Sequence, residues 1–175
     1  GVNSNVNLRT NGNDIGIYAK NNNTLNISGN ISVESLDVAG DYDYGIYLDS
    51  STSNTLNLTN TTFTIKGNSA GIYSGWDGIH FSSGNIINLF GTEGIGVLYE
   101  VTSNSPTSGT GSIVNNSGII NLDQGTGIYI LDNGNTGLNK LENYNEINIT
   151  NDGVGIVFSS RAYSNTDNLE IINNG

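Results

Sequence analysis

Hydrophobic and polar residues alternate along the chain in short segments, and the same arrangement returns at a regular interval. Within residues 119–130, Ile120 and Leu122 flank the polar Asn121, a turn of Asp, Gly and Thr follows, and a second apolar segment begins at Gly127. Alternation with a period of two residues is typical of half-buried β-strands. The segment therefore predicts two strands separated by a turn.

The second of these strands recurs six times when the chain is aligned on its glycine. The steps between successive glycines are 29, 26, 25, 31 and 28 residues. The six glycines are Gly16, Gly45, Gly71, Gly96, Gly127 and Gly155. Each is followed by isoleucine or valine, which favour the buried side of a strand. We therefore expect the residue after each glycine to face the interior, together with the residues two before and two after it. The glycines and the intervening residues, mostly tyrosine, should face outward.

Two further sets of apolar positions repeat with the glycine strand. Before the turn stand Val6/Leu8, Leu36/Val38, Phe63/Ile65, Ile87/Leu89, Ile120/Leu122 and Ile147/Ile149. The third set is Leu25/Ile27, Leu56/Leu58, Ile79/Phe81, Ile113, Leu141 and Leu169/Ile171. Three short strands in each repeat of this length predict a solenoid, whose units bury their apolar faces against one another. The predicted fold is all-β: a right-handed parallel β-helix of about six rungs with three short strands per rung.

The repeat runs through the whole chain, so we interpret residues 1–175 as a single β-helix fragment of a longer protein. Asn26, Asn57, Asn88, Asn121 and Asn148 recur beside apolar residues. Successive rungs are expected to stack these asparagines into hydrogen-bonded ladders with a structural role.

Charge and composition narrow the function classes. Lys and Arg number 5 and Asp and Glu number 16, which gives a formal net charge of −11. The scattered basic residues argue against nucleic-acid binding, which requires clustered positive charge. The chain has no cysteine, which suits an exported protein. No apolar run reaches the length of a membrane helix.

The connections after the glycine strands vary most between repeats, and in solenoids such insertions often form the binding side. The candidate binding residues there are Trp76, Glu100, Pro106, Arg161 and Tyr163. A second candidate surface consists of the outward tyrosines Tyr18, Tyr47, Tyr73 and Tyr129. These rings either stack against sugar rings or cover the bare backbone of neighbouring glycines, and we favour the covering role.

Catalysis and metal binding have little support in the sequence. His80 lies between Ile79 and Phe81 and is expected to be an ordinary exposed histidine. Asp41 and Asp43 are two residues apart, a spacing compatible with calcium binding or glycosidic acid/base work, but we interpret them as turn residues. No catalytic residue, cofactor or metal site is predicted.

The recurring GIY strand, the Asn/Gly/Thr-rich rungs of irregular length, the acidic balance and the missing cysteines resemble the passenger domain of large Gram-negative autotransporters, the type V secreted adhesins. The resemblance implies display outside the cell, from a separate outer-membrane barrel domain, and attachment to a host-cell protein or glycan or to a partner bacterium. Two alternatives remain: a β-helix polysaccharide lyase or hydrolase, and a secreted toxin passenger that inserts in membranes.

Overall fold

The computed structural model describes residues 2–3, 5–10, 13–20, 23–36, 42–49, 54–75, 79–101, 114–132, 138–160 and 168–175. The strands are β1 (Val2–Asn3), β2 (Val6–Thr10), β3 (Ile15–Ala19), β4 (Thr24–Ser35), β5 (Asp43–Leu48), β6 (Thr55–Lys66), β7 (Ser69–Ser74), β8 (Ile79–Phe81), β9 (Ile86–Phe90), β10 (Ile95–Val101), β11 (Val114–Asn116), β12 (Ile119–Leu122), β13 (Thr126–Asp132), β14 (Leu138–Asn143), β15 (Ile147–Ile149), β16 (Val154–Ser160) and β17 (Asn168–Asn173).

Within these residues the strands form three sheets, and no helix is present. Sheet A has seven strands, in the order β1-β4-β6-β9-β12-β15 with β2 also paired to β4. Sheet B has six strands, in the order β16-β13-β10-β7-β5-β3, and sheet C has four, in the order β17-β14-β11-β8. The pairs are parallel, as in β10 with β13 and in β12 with β15. Neighbours in a sheet come from successive turns of the chain, so the predicted all-β parallel solenoid is confirmed.

The finer prediction of six rungs with three strands each is not confirmed. Sheet C has four strands in the part of the chain that the structure describes, and the solenoid has about four turns. Earlier in the chain, β4 and β6 are single strands of 12 residues each. Each bends at a residue with positive φ, Gly29 (108°) in β4 and Asn60 (48°) in β6, and the register between the two strands shifts at this point. The extra residue at the bend is typical of a β-bulge, which lets one strand turn a corner without ending.

The residues that follow the glycines form the interior column of sheet B, as predicted. They stack in register as Ile17, Ile46, Ile72, Val97, Ile128 and Ile156. Ile46, Ile72 and Ile128 are 0% exposed. The positions two residues later, such as Leu48 and Ile130, are also buried in the same core. This core is one continuous cluster that extends from Ala19 to Leu141.

The predicted residues of sheet A are correct in most turns but wrong in the second. Phe63/Ile65, Ile87/Leu89 and Ile120/Leu122 pair in register and are buried. In the second turn the core pair is Ile31 and Val33, which pair with Phe63 and Ile65. Leu36 is 46% exposed, and Val38 lies outside the described residues. The core pair therefore lies further from Gly45 in the sequence than the predicted pair.

Sheet C requires similar corrections. Ile79 and Phe81 are buried as predicted. Val114 is the buried residue that pairs with both Ile79 and Leu141, in place of the predicted Ile113, which is not among the described residues. The prediction aligned Leu141 with Leu169, but Leu141 is in register with Ile171, which is 48% exposed, and Leu169 is in register with Asn139.

The glycines of sheet B face the core, and this corrects the prediction that they face outward. A Cβ atom on Gly71 would lie 2.6 Å from Cδ1 of Ile65 and 2.7 Å from the carbonyl oxygen of Gly96 in the next turn. The glycine and the isoleucine after it therefore both point inward, which interrupts the period of two. The residue before each glycine consequently faces outward instead of inward; Ile15 and Val154 are exposed.

The predicted asparagine ladders are confirmed as hydrogen-bonded structures, but they form two separate rows. In one row Nδ2 of Asn57 donates to Oδ1 of Asn26 at 2.8 Å. In the other, Asn121 donates to Asn88 at 2.9 Å, and Asn148 donates to Asn121 at 3.1 Å. Asn88 is in register with Thr64 rather than with Asn57, so the two rows lie on different columns.

A buried ladder was missed by the sequence analysis. Nδ2 of Asn116 donates to Oδ1 of Asn143 at 2.7 Å, and Asn143 donates in turn to Asn173 at 2.8 Å. Asn116 and Asn143 are buried at the corner between sheets C and A. Oδ1 of Asn116 also accepts the backbone N–H of Gly118 at 3.2 Å. These side chains satisfy polar groups that the corner would otherwise bury without partners.

Candidate functional site

Of the two candidate surfaces predicted from the sequence, the structure describes the tyrosines but only one residue of the variable connections. Trp76, Pro106, Arg161 and Tyr163 lie outside the described residues. The outward tyrosines and Glu100 are described, and they lie together on the outer face of sheet B. We call this surface the tyrosine face and define it by Tyr18, Tyr42, Tyr44, Tyr47, Tyr73, Leu98 and Tyr129.

Register brings the tyrosines into contact. Tyr18, Tyr47 and Tyr73 occupy the same position in β3, β5 and β7, and Leu98 and Tyr129 continue the row. The ring centroids of Tyr18 and Tyr47 are 5.7 Å apart at an interplanar angle of 37°, and those of Tyr47 and Tyr73 are 4.3 Å apart and stacked. Parallel strands lie about 4.8 Å apart, so each ring leans on the ring of the next turn.

Tyr42 and Tyr44 also belong to this face, and the sequence analysis did not place them there. The ring of Tyr44 contacts Tyr47 at 5.1 Å and Tyr73 at 5.5 Å, in both cases edge to face. Tyr42 packs against the same cluster. The prediction assigned Tyr44 to the interior because it assumed an unbroken alternation through Gly45. The reversal at the glycine moves Tyr44 outward.

Exposure changes along the tyrosine face. Tyr73 is 5% exposed and Tyr47 is half-buried, while Tyr18 is 51% exposed. The ring of Tyr73 is enclosed by neighbouring side chains, among them Ile95 and Leu98, and the covering of glycine backbones stays a prediction. Tyr18 offers an open aromatic ring.

Carboxylates hold the phenol groups at both ends of the stack. The hydroxyl of Tyr18 donates to Oδ2 of Asp49, and Nζ of Lys20 lies 3.6 Å from the same oxygen. The hydroxyl of Tyr73 donates to Oε2 of Glu100 at 2.8 Å. These bonds fix the orientation of the rings, and they give Glu100 a structural role in addition to its predicted place in a variable connection.

The phenol groups are held in their neutral form. Burial, followed by the hydrogen bond to Glu100, raises the pKa of Tyr73 above its ordinary value of 10.0. Burial also raises the pKa of Tyr47, and the hydrogen bond to Asp49 is the main cause that raises the pKa of Tyr18. A neutral phenol next to a carboxylate keeps its proton and donates a hydrogen bond, so the face presents ring surfaces and acceptor oxygens.

A groove of about 440 Å³ opens at the exposed end of the tyrosine face. It is lined by Asn13, Ile15, Tyr18, Tyr44, Tyr47 and Asp49. The groove combines aromatic rings, one carboxylate and one amide. This volume is within the range of small-molecule sites, roughly 300 to 1,000 Å³. We call it the tyrosine groove.

The histidine and the aspartates considered from the sequence as catalytic or metal-binding residues do not form a site in the described residues. His80 is exposed, as expected. Asp43 begins β5 and is fully buried, and its Oδ1 accepts the backbone N–H of Asp14 at 2.9 Å. Asp41 is not among the described residues. In the part of the chain that the structure describes, no three His, Cys, Asp or Glu residues gather into a group that could hold a metal ion.

Comparisons of the chain with protein-family models, with curated proteins and with solved structures found no match. In the described residues there is no helix that could span a membrane.

Proposed function

We propose that the chain is a rigid segment of a secreted surface adhesin, of the type carried as a passenger by Gram-negative autotransporters. Its function is attachment to a host-cell protein or glycan or to a partner bacterium, outside the cell, with display from a separate outer-membrane barrel domain. A right-handed β-helix of six rungs is part of this proposal: each of the six strands of sheet B would begin one rung, and the four strands of sheet C account for the roughly four turns of the described residues. The proposal includes no catalytic step, cofactor or metal.

The tyrosine groove is the observation that carries this proposal. Tyr18 presents an exposed ring whose hydroxyl is held by Asp49, and the ring is supported from behind by Tyr47. Tyrosine is enriched among residues that anchor interfaces, because its ring is large, rigid and polar at one end. A ring fixed before binding loses little conformational entropy when a partner packs on it. The parallel strands of sheet B hold the backbone beneath the Tyr18 ring in place.

Attachment of beads coated with the 175-residue chain to cultured epithelial cells and to other bacteria tests the proposal. Tyr18→Ala should reduce attachment, whereas Tyr144→Ala should not. Tyr144 is a suitable control because it is also exposed, at 46%, and directly follows β14 of sheet C, away from sheet B. Beads without protein define the background, and wild-type attachment at that background would refute the proposal.

A second variant tests the variable connections predicted from the sequence. In it, residues 102–111 are shortened to a Gly-Ser turn, which keeps Glu100 as the acceptor of Tyr73, and Trp76, Arg161 and Tyr163 are changed to alanine. Loss of attachment by this variant, with Tyr18→Ala still attaching, would place recognition in the connections. The opposite result would place it at the tyrosine groove.

A further inference from the structure

A second groove lies on a different face of the solenoid, on the outer surface of sheet A where β9, β12 and β15 end. Its volume is about 590 Å³. The side chains that line it include Asn88, Phe90, Asn121, Asp123, Asn148 and Thr150. None of these residues lines the tyrosine groove. We call this second groove the amide groove.

A row of amides runs across the amide groove. Asn88, Asn121 and Asn148 are in register in the three strands. Asn121 donates to Asn88 at 2.9 Å, and Asn148 donates to Asn121 at 3.1 Å. A side-chain amide has two N–H donors and an oxygen with two acceptor sites. Nδ2 of Asn148 also donates to Oε2 of Glu146 at 3.3 Å, so both of its donors are used. Asn121 uses one donor in the row and can offer its second donor to a ligand. The row therefore presents donors and acceptors about 4.8 Å apart.

An exposed aromatic ring stands beside this row. Phe90 follows the fully buried Leu89 and is 46% exposed. Its register partner in β6 is Lys66. In the opposite direction, the backbone N–H of Asp123 donates to the carbonyl of Leu89 at 3.1 Å, which places Asp123 next to Phe90. A large apolar ring is thus combined with hydrogen-bonding groups at one place on the surface.

The carboxylate of Asp123 is held in position by the next turn. Its Oδ1 accepts from Nδ2 of Asn151 and, at 3.5 Å, from Oγ1 of Thr150. The hydroxyl of Thr150 has one hydrogen and its shorter contact is with the carbonyl of Leu122, at 3.1 Å, so Asn151 is the main donor to the carboxylate. These contacts orient the carboxylate before any ligand arrives, and pre-orientation reduces the entropy lost on binding.

We propose that the amide groove binds a neutral saccharide of one or two sugar rings. One face of a sugar ring carries C–H groups that pack on an aromatic ring, and its edge carries hydroxyl groups that donate and accept hydrogen bonds. Phe90 matches the face, while the amide row and Asp123 match the hydroxyls. The volume is within the roughly 300 to 1,000 Å³ of small-molecule sites.

Charge sets the specificity of the amide groove. Among the described residues, two carboxylates adjoin the amide groove, Asp123 in its lining and Glu146 at Asn148, against the one cation Lys66 beside Phe90, and the whole chain carries −11. Sialylated and sulfated sugars are therefore repelled, and neutral sugars are selected. This site gives a ligand class to the attachment function proposed above, and it depends on that proposal for its biological role.

Saturation-transfer NMR on the 175-residue chain tests the site. The probes are lactose, maltose and mannobiose as neutral disaccharides, sialyllactose and a heparin disaccharide as anionic sugars, and a lysine-rich peptide as a cationic competitor. Phe90→Thr removes the ring, and Leu36→Thr is the matched control. Leu36 is also 46% exposed in the same region of the fold, at the end of β4 and outside the groove.

At least one neutral disaccharide should bind more tightly than either anionic sugar. Phe90→Thr should weaken that binding about tenfold, as expected for loss of an aromatic anchor, and Leu36→Thr should leave it unchanged. Asp123→Asn should narrow the difference between neutral and anionic sugars. Circular dichroism confirms that each variant folds.

Three results would overturn the proposal: no transfer to any neutral disaccharide, equal binding by wild type and Phe90→Thr, or binding of the lysine-rich peptide in place of the sugars. The attachment assay separates this inference from the proposed function. A chain that attaches to cells but binds no neutral sugar refutes the saccharide site alone. A chain that binds sugar but attaches to nothing refutes the adhesin function alone.

Discussion

Replacing Gly127 by alanine should destabilise the solenoid, whereas the same change at Gly155 should not. The two glycines occupy the same position in successive turns of sheet B. A Cβ atom on Gly127 would lie 2.6 Å from the carbonyl oxygen of Gly155 and 3.5 Å from the side chains of Ile120 and Leu122. A Cβ atom on Gly155 would meet only the side chains of Ile147 and Ile149, both at 3.5 Å.

The difference between the two variants is therefore one backbone contact. Cβ atoms essentially never approach another atom closer than 3.0 Å, so β13 and β16 must separate locally in the Gly127 variant. Overpacking of this kind costs about 1 to 3 kcal/mol. In the Gly155 variant the new methyl group makes ordinary contacts, and the lower entropy of the unfolded chain stabilises the protein by about 0.4 to 1 kcal/mol.

Urea denaturation followed by circular dichroism measures both changes. We expect the free energy of unfolding to fall for Gly127→Ala and to stay level or rise slightly for Gly155→Ala. Hydrogen exchange at the amides of Ile128 and Ile130 should become faster in the first variant only, because the disturbed pairing is local. Equal destabilisation of both variants would refute the argument that the carbonyl contact requires glycine.

Three further predictions concern the core, pH and metal ions. Ile128→Asp should lower the free energy of unfolding by several kcal/mol, because it buries a carboxylate, while Tyr129→Asp at a half-buried outer position should be far milder; the opposite ranking in thermal melts would invert the assigned facing. Because the pKa of Tyr73 is raised in the folded state, the stabilisation from its neutral phenol is complete below pH 10.0, the ordinary value, and is lost as pH rises above it. Tyr73→Phe should therefore flatten the decline of stability between about pH 9 and 11, and an unchanged slope would contradict this account. A chelator should leave the melting temperature unchanged, because Asp43 accepts a backbone hydrogen bond from Asp14; a large fall that calcium reverses would show that metal ligands are present.

Periodicity alone predicted which column of sheet B fills the interior: the residue after each glycine is β-branched, and this column repeats six times. Ile46, Ile72 and Ile128 are fully buried as a result. The asparagine rows were also predictable, since a parallel solenoid places equivalent side chains in register. For these features, local patterning and stacking of turns require the same arrangement.

Other features depended on how neighbouring turns meet. The alternation of Tyr44, Gly45 and Ile46 does not reveal that two successive residues face inward, because this reversal follows from the carbonyl of the next turn approaching the glycine. Similarly, Leu36 matches the apolar pattern as well as Val33 does, and the pairing of Val33 with Ile65 in the next turn selects Val33 for the core.

The candidate sites, too, were predictable in part from the sequence and depended in part on contacts between turns. The outward tyrosines were visible in the sequence, but which ring is enclosed and which is open depends on Tyr42 and Tyr44 crossing the face. Phe90 gave no signal, because an apolar residue at the end of a strand usually continues the core. Its exposure beside the amide row results from the register of β9 with β12 and β15, and register is fixed by the packing of all turns together.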